Sequence, residues 1–161
     1  MRDLALRLLG QRDHSAHELG VKLIRKVRAH PEKFPSGDPA GAVDSVLRDL
    51  TREKRLDDHR FALARTEQKR RSCHGDRRIR RDLLRRGIDA KIIDSVLLEI
   101  SGQDEALLAA IALHVKRHGE PLERPDLRRL FRRMIQLGHA PAEIRQKMGP
   151  LFRKVSAQAG R

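Results

Sequence analysis

The stretch "IIDSVLLEI", Ile92 to Ile100, decides the fold because an earlier stretch, "AVDSVLRDL", Ala42 to Leu50, spells nearly the same pattern. Both carry Asp-Ser-Val-Leu, and apolar residues face apolar residues at nearly every core-type position. Self-similarity at this distance is the mark of a repeat architecture, in which one small unit cannot bury its apolar face alone and stacks on its neighbours.

The match extends outward from that stretch. In the middle of the chain Ile79, Leu83 and Leu84 precede Gly87, and Ile93 and Leu97 follow it; later, Leu130, Met134, Ile135, Gly138, Ile144 and Met148 fall on the same pattern. Earlier, Leu19, Leu23 and Ile24 match the first three, and Val43 and Leu47 match the last two after an insertion. That insertion is "RAHPEKFPSGDPAG", Arg28 to Gly41, whose three prolines and two glycines predict a mobile loop.

Each segment reads as three helices. Spacings of three and four among Leu19, Leu23 and Ile24, and among Ile79, Leu83 and Leu84, place one apolar stripe on each second helix. Ser15 and Glu18 have the spacing of a capping box. Asp38 before Pro39, and Asp89 after Gly87, are N-cap candidates for the third helices. The expected architecture is all-α: three tandem three-helix, helix-turn-helix-like repeats forming an elongated curved rod. The expected divisions are 1–53 with the insertion at 28–41, then 54–102, then 103–161 with a C-terminal tail. In the Asp-Ser-Val-Leu turn, Val and Leu are expected to be buried.

The chain of 161 residues has 36 Lys and Arg against 22 Asp and Glu, a formal charge of +14, and 2% aromatic residues. This balance suits a polyanionic or acidic partner. Half of the excess lies between Lys69 and Arg86, "KRRSCHGDRRIRRDLLRR". With Ile79 and Leu83 turned inward, Arg77, Arg78, Arg81 and Arg85 fall on the opposite side of the helix. A merely solvated face usually alternates signs, and this one does not. Arg128, Arg129, Arg132 and Arg133 repeat the idea more weakly in the third unit, with Arg128 and Arg132 as the candidate contacts there.

Enzyme chemistry finds little footing. His14, His17 and Glu18 in "HSAHE" lack the His-Glu-x-x-His order of a zinc helix and read as capping and surface residues. His114 and His118 lie one turn apart without an accompanying Cys or Asp cluster. Cys73 is the only cysteine, so no internal disulfide forms. Asp57 and Asp58 in "LDDHRF" read as a helix cap and first turn. No catalytic constellation, cofactor site or metal site emerges. No apolar run approaches the roughly 20 residues of a membrane span, and a cytoplasmic protein is expected.

Two helices joined by a glycine turn also suit a helix-turn-helix, so autonomous DNA binding is the alternative. Without Trp or Tyr, a stacking platform for single strands is not expected.

Three motifs carry a family likeness. They are "ALRLLGQRDHSAHELGVKL" in the first unit, "RLDDHRFA" with "GDRRIRRDLLRRGID" in the second, and "LRRLFRRMIQLGHAPAEI" in the third. On these the chain resembles the RecX family of bacterial recombinase regulators over nearly its full length. It departs from the family pattern at Val27 with the insertion that follows, and at His139, a place usually apolar. The resemblance implies three tandem three-helix repeats that bind in the groove of the RecA filament on DNA and dampen its ATPase, strand-exchange and coprotease activities. The expected partners are the RecA filament and nucleic acid, met through the filament or by weak direct contact, with no membrane partner and a monomeric chain.

Overall fold

Apolar residues recurring every three or four positions make helices, and helices account for all the regular structure in the computed structural model, which describes residues 1–33, 37–100, 102–120 and 123–158. Among the described residues there are nine α-helices and no strand: α1 (Arg2–Gln11), α2 (Ala16–Ala29), α3 (Pro39–Arg52), α4 (Asp58–Arg71), α5 (Asp76–Arg85), α6 (Ala90–Glu99), α7 (Gln103–His118), α8 (Arg124–Leu137) and α9 (Pro141–Gln158). None of them is long and apolar enough to cross a membrane.

The caps explain where the helices begin. Ser15 Oγ accepts from the Glu18 N–H at 3.1 Å and opens α2. Asp38 Oδ1 accepts from the Gly41 N–H at 3.0 Å, with Pro39 at the first helical position of α3. Asp57 and Asp89 do the same for α4 and α6, taking the N–H groups of Arg60 at 3.0 Å and Lys91 at 2.8 Å.

The predicted loop is shorter than Arg28 to Gly41. Arg28 and Ala29 complete α2, whose last turn is held by the buried Val27, and Pro39 to Gly41 form the first turn of α3. A 3₁₀ turn occupies Pro31–Lys33; positions 34–36 of the predicted loop lie outside the described residues. Glycine and proline counts mislead here because a proline at the first helical position and a glycine one turn inside are both compatible with a capped start.

The chain divides into two compact units. The first comprises Met1–Ala64 with Leu83–Val96. In it α2 packs on α1 and α3, and Ala5, Leu19, Leu23, Val43, Leu50 and Leu56 form the core. The second comprises Arg65–Asp82 with Leu97–Arg161. There α7, α8 and α9 pack on one another around Leu107, Ile111, Leu127, Leu130, Met134, Ile144 and Met148.

Several burial expectations shift. Leu84 is 49% exposed and Ile135 37%, so the stripe of each second helix narrows to Ile79 with Leu83 and Leu130 with Met134. In the repeated turn, Val96 is buried, but Leu97, Val46 and Leu47 are only half-buried. The fully buried partners are instead Val43 and Ile93, one turn earlier. His14, expected at the surface, is buried.

Candidate functional site

Arginines dominate the surface, and their partners sort them into two groups. Those with partners hold the fold. Arg65 Nε donates to Asp82 Oδ2 at 2.8 Å, and Lys69 lies 4.0 Å from the same carboxylate. The buried Arg70 pairs with Asp76 at 2.7 Å in the first turn of α5. Burial raises the Asp76 carboxyl above the usual range, although Arg70 pulls it down. Both acidic residues of the segment Lys69 to Arg86 are thus engaged by structural cations.

Arg86 is structural too, since it pairs with Glu18 in the first unit. Burial alone would raise the Glu18 carboxyl. Arg86 and Arg12 outweigh it and hold Glu18 below the ordinary range. Glu18 therefore spends its side chain on arginines as well as lying three residues after the Ser15 cap.

The candidate contact arginines are all exposed. Arg77, Arg78 and Arg81 lie on α5 in the second unit; Arg85, on the last turn of the same helix, belongs to the first. No ion pair reaches Arg77 or Arg81 among the described residues. Arg78 is different, because its guanidinium donates to the Gln136 carbonyl at 3.3 Å, near the C-terminal end of α8. That end carries the negative pole of the helix and unsatisfied carbonyls, so a cation is favoured there.

In the same unit Arg128 and Arg132 stand one turn apart on α8, exposed and without an ion pair among the described residues. Arg129, by contrast, leans towards Asp126 at 3.6 Å. Arg128 and Arg132 border an open cleft of about 410 Å³ whose other walls are Phe131 and Phe152. The two arginines are legible in the sequence. The phenylalanines are not, because 21 positions separate them and only the packing of α9 on α8 brings them to one cleft.

A recurring joint positions these helices. Ser15 Oγ, at the start of α2, donates to the Arg86 carbonyl at 2.6 Å, just before Gly87. The Ala16 N–H donates to Asp58 Oδ1 at 2.8 Å, and burial raises the Asp58 carboxyl despite that bond. In the second unit the Gly75 N–H, at the start of α5, donates to the Leu137 carbonyl at 2.9 Å, and the Arg77 N–H donates to the Gly138 carbonyl at 3.1 Å. Gly87 and Gly138 both have positive φ, +73° and +94°. A Cβ at Gly138 would lie 2.5 Å from the Arg78 Cβ and backbone nitrogen, and one at Gly87 would collide with the His17 side chain.

His139, directly after that turn, is fully buried, with Nε2 3.1 Å from the Cys73 carbonyl oxygen. Burial holds its pKa below the ordinary histidine value, against the Cys73 hydrogen bond and the nearby Glu143. A neutral imidazole thereby fills a place where an apolar side chain was expected.

His114 and His118 stack obliquely with ring centroids 4.6 Å apart, beside a cleft of about 250 Å³ that also meets Arg117 and Arg133. Burial, and then the charge of His118, lowers the pKa of His114. Among the described residues no group of three or more His, Cys, Asp or Glu is arranged to hold a metal ion.

Residues 57–97, the span from Asp57 into α6, match the family model described as "RecX, second three-helix domain". A regulatory protein RecX from Halorhodospira halophila is 31% identical over 147 residues, covering 90% of this chain and 84% of that protein. Another from Acidithiobacillus ferrooxidans is 32% identical over 148 residues, covering 91% of this chain and 87% of its own length. The crystal structure of RecX from Lactobacillus salivarius superposes with a TM-score of 0.72 at 15% identity, covering 97% of this chain and 94% of that one, and so shares the fold. The repeated joint, the all-helical repeats and these relatives agree, and the chain belongs to the RecX family of regulatory proteins.

Proposed function

We propose that this protein is a non-enzymatic regulator that binds the RecA recombinase filament on DNA and lowers its ATPase, strand-exchange and coprotease activities in repair and recombination. The observation that carries this reading is the set of exposed arginines without ion pairs, Arg77 and Arg81 on α5 and Arg128 and Arg132 on α8, displayed by a RecX-family scaffold. Arg78 and Arg85 extend the cationic surface of α5. The guanidinium groups of Arg77, Arg81, Arg128 and Arg132, on rigid helices, suit acidic protein surface and phosphate, since they bind either without first giving up an ion pair. The protein acts as a cytoplasmic monomer in this reading, with nucleic acid met chiefly within the filament.

The test is co-sedimentation with RecA-coated and with bare single-stranded DNA at near-physiological salt. A regulator of the filament pellets with the coated strand well below the concentration at which it binds bare DNA. Equal binding to both would instead favour an autonomous DNA-binding protein.

A further inference from the structure

We propose that the cleft lined by Arg128, Phe131, Arg132 and Phe152 is a binding site for one unpaired nucleotide of single-stranded DNA, its base against the phenylalanine rings and its flanking phosphates on the two guanidinium groups. Phe152 is 38% exposed, and Phe131 is half-buried at the edge of the core of the second unit. The cleft, about 410 Å³ and open on one side, has room for a single flat ring. Arg128 and Arg132 are neighbours on one helix face. Neither is neutralised by an ion pair among the described residues, and no carboxylate lines the cleft.

An occupant of this site has to be flat or apolar at its centre and negative on its flanks. A nucleotide meets both demands, because every base has a π-face and every linkage a phosphate. An amphipathic peptide helix fits less well: it docks through a row of apolar anchors along its length, and only two apolar side chains are present here. Stacking on phenylalanine tolerates any base, so the site discriminates unpaired from paired strands and is indifferent to sequence. Duplex bases are already stacked and present their phosphates without a free ring.

The proposal shares Arg128 and Arg132 with the filament reading but concerns bare DNA, so the experiment contains no recombinase and its failure is distinct from the failure of that reading. Fluorescence anisotropy compares a labelled oligothymidylate with an abasic oligonucleotide of the same length, across a salt series. The wild-type protein is expected to prefer the oligothymidylate by about tenfold, the order expected for stacking one base. Phe152→Ala removes that preference while leaving the affinity for the abasic strand and the salt slope unchanged. Arg128→Ala with Arg132→Ala weakens binding to both strands and flattens the salt dependence.

The chain has no tryptophan, which makes Phe152→Trp a second readout. Its fluorescence is expected to be quenched by the oligothymidylate and not by the abasic strand, with circular dichroism confirming an unchanged fold. The proposal is overturned if the wild type binds both strands equally, or if Phe152→Ala keeps the preference. It is also overturned if Phe152→Trp binds the oligothymidylate without quenching. If Phe152→Ala weakened only binding to RecA-coated DNA and left the oligothymidylate untouched, the occupant would be protein and the assignment wrong.

Discussion

Ser15 Oγ bridges two helix ends, accepting from the Glu18 N–H at the start of α2 while donating to the Arg86 carbonyl at the end of α5. The relation recurs in the second unit, where the Gly75 N–H donates to the Leu137 carbonyl. In each case the last carbonyls of one helix satisfy donors at the start of another, so two sets of orphaned backbone groups are paired at once. Each joint sits on a glycine with positive φ and no room for a side chain.

Those joints predict an ordering among glycine substitutions. Gly87→Ala and Gly138→Ala place a Cβ in the left-handed region, which costs about 1–2 kcal/mol, and force it against His17 or Arg78 as well. Gly10, on α1, has nothing within 4 Å of its would-be Cβ; Gly10→Ala is expected to be neutral or stabilising by up to about 1 kcal/mol. Chemical denaturation of the three variants measures this. A Gly138→Ala protein as stable as Gly10→Ala would show that the joint is not tight.

The repeated Asp-Ser-Val-Leu turn predicts a second contrast. Ile93 is fully buried and Leu97 only half-buried. Ile93→Ala is expected to cost about 2–5 kcal/mol, the range for emptying a core position, and Leu97→Ala distinctly less. Thermal melts followed by circular dichroism check the order, and the reverse order would place the wrong face of α6 in the core.

How much of this was readable follows from which signals are local. The glycine turns, the caps at Ser15, Asp38 and Asp89, and the apolar spacing depend on residues a few positions apart, and all three were visible. Leu84 and Ile135 were misplaced because helical spacing marks a stripe but not its width, which depends on what packs against it. The exposed arginines on α5 could be picked out by their position opposite Ile79. Their sorting could not, because the acids that engage Arg70 and Arg65 are reached only by folding, as is the aromatic cleft of Phe131 and Phe152.

Two buried histidines predict a pH dependence. Burial is the chief reason that His14 and His139 both have folded pKa values below the ordinary histidine value. Below about pH 6.5 the unfolded chain therefore binds more protons than the folded one, so stability falls as pH drops from 7.5 towards 5.5. Around His139, burial and Arg70 disfavour the proton, and together they outweigh the Cys73 carbonyl, Glu143 and Asp76, which favour it. His139→Leu is expected to flatten the loss over this range, measured by urea denaturation at several pH values. An unchanged pH profile in that variant would mean that His139 does not titrate out of step with the unfolded chain.

The most direct test of the central claim is the ATPase of RecA on single-stranded DNA, with wild-type protein and with the double variant Arg77→Glu, Arg81→Glu. Both positions are exposed, so stability should change by no more than about 0.5 kcal/mol per site, and circular dichroism verifies the fold. Wild-type protein is expected to inhibit the ATPase, less so as salt rises. The double variant is expected to need at least about tenfold more protein for the same inhibition, since attraction is replaced by repulsion at a contact. No effect of the wild-type protein on the ATPase, or equal inhibition by two equally folded proteins, would contradict the account.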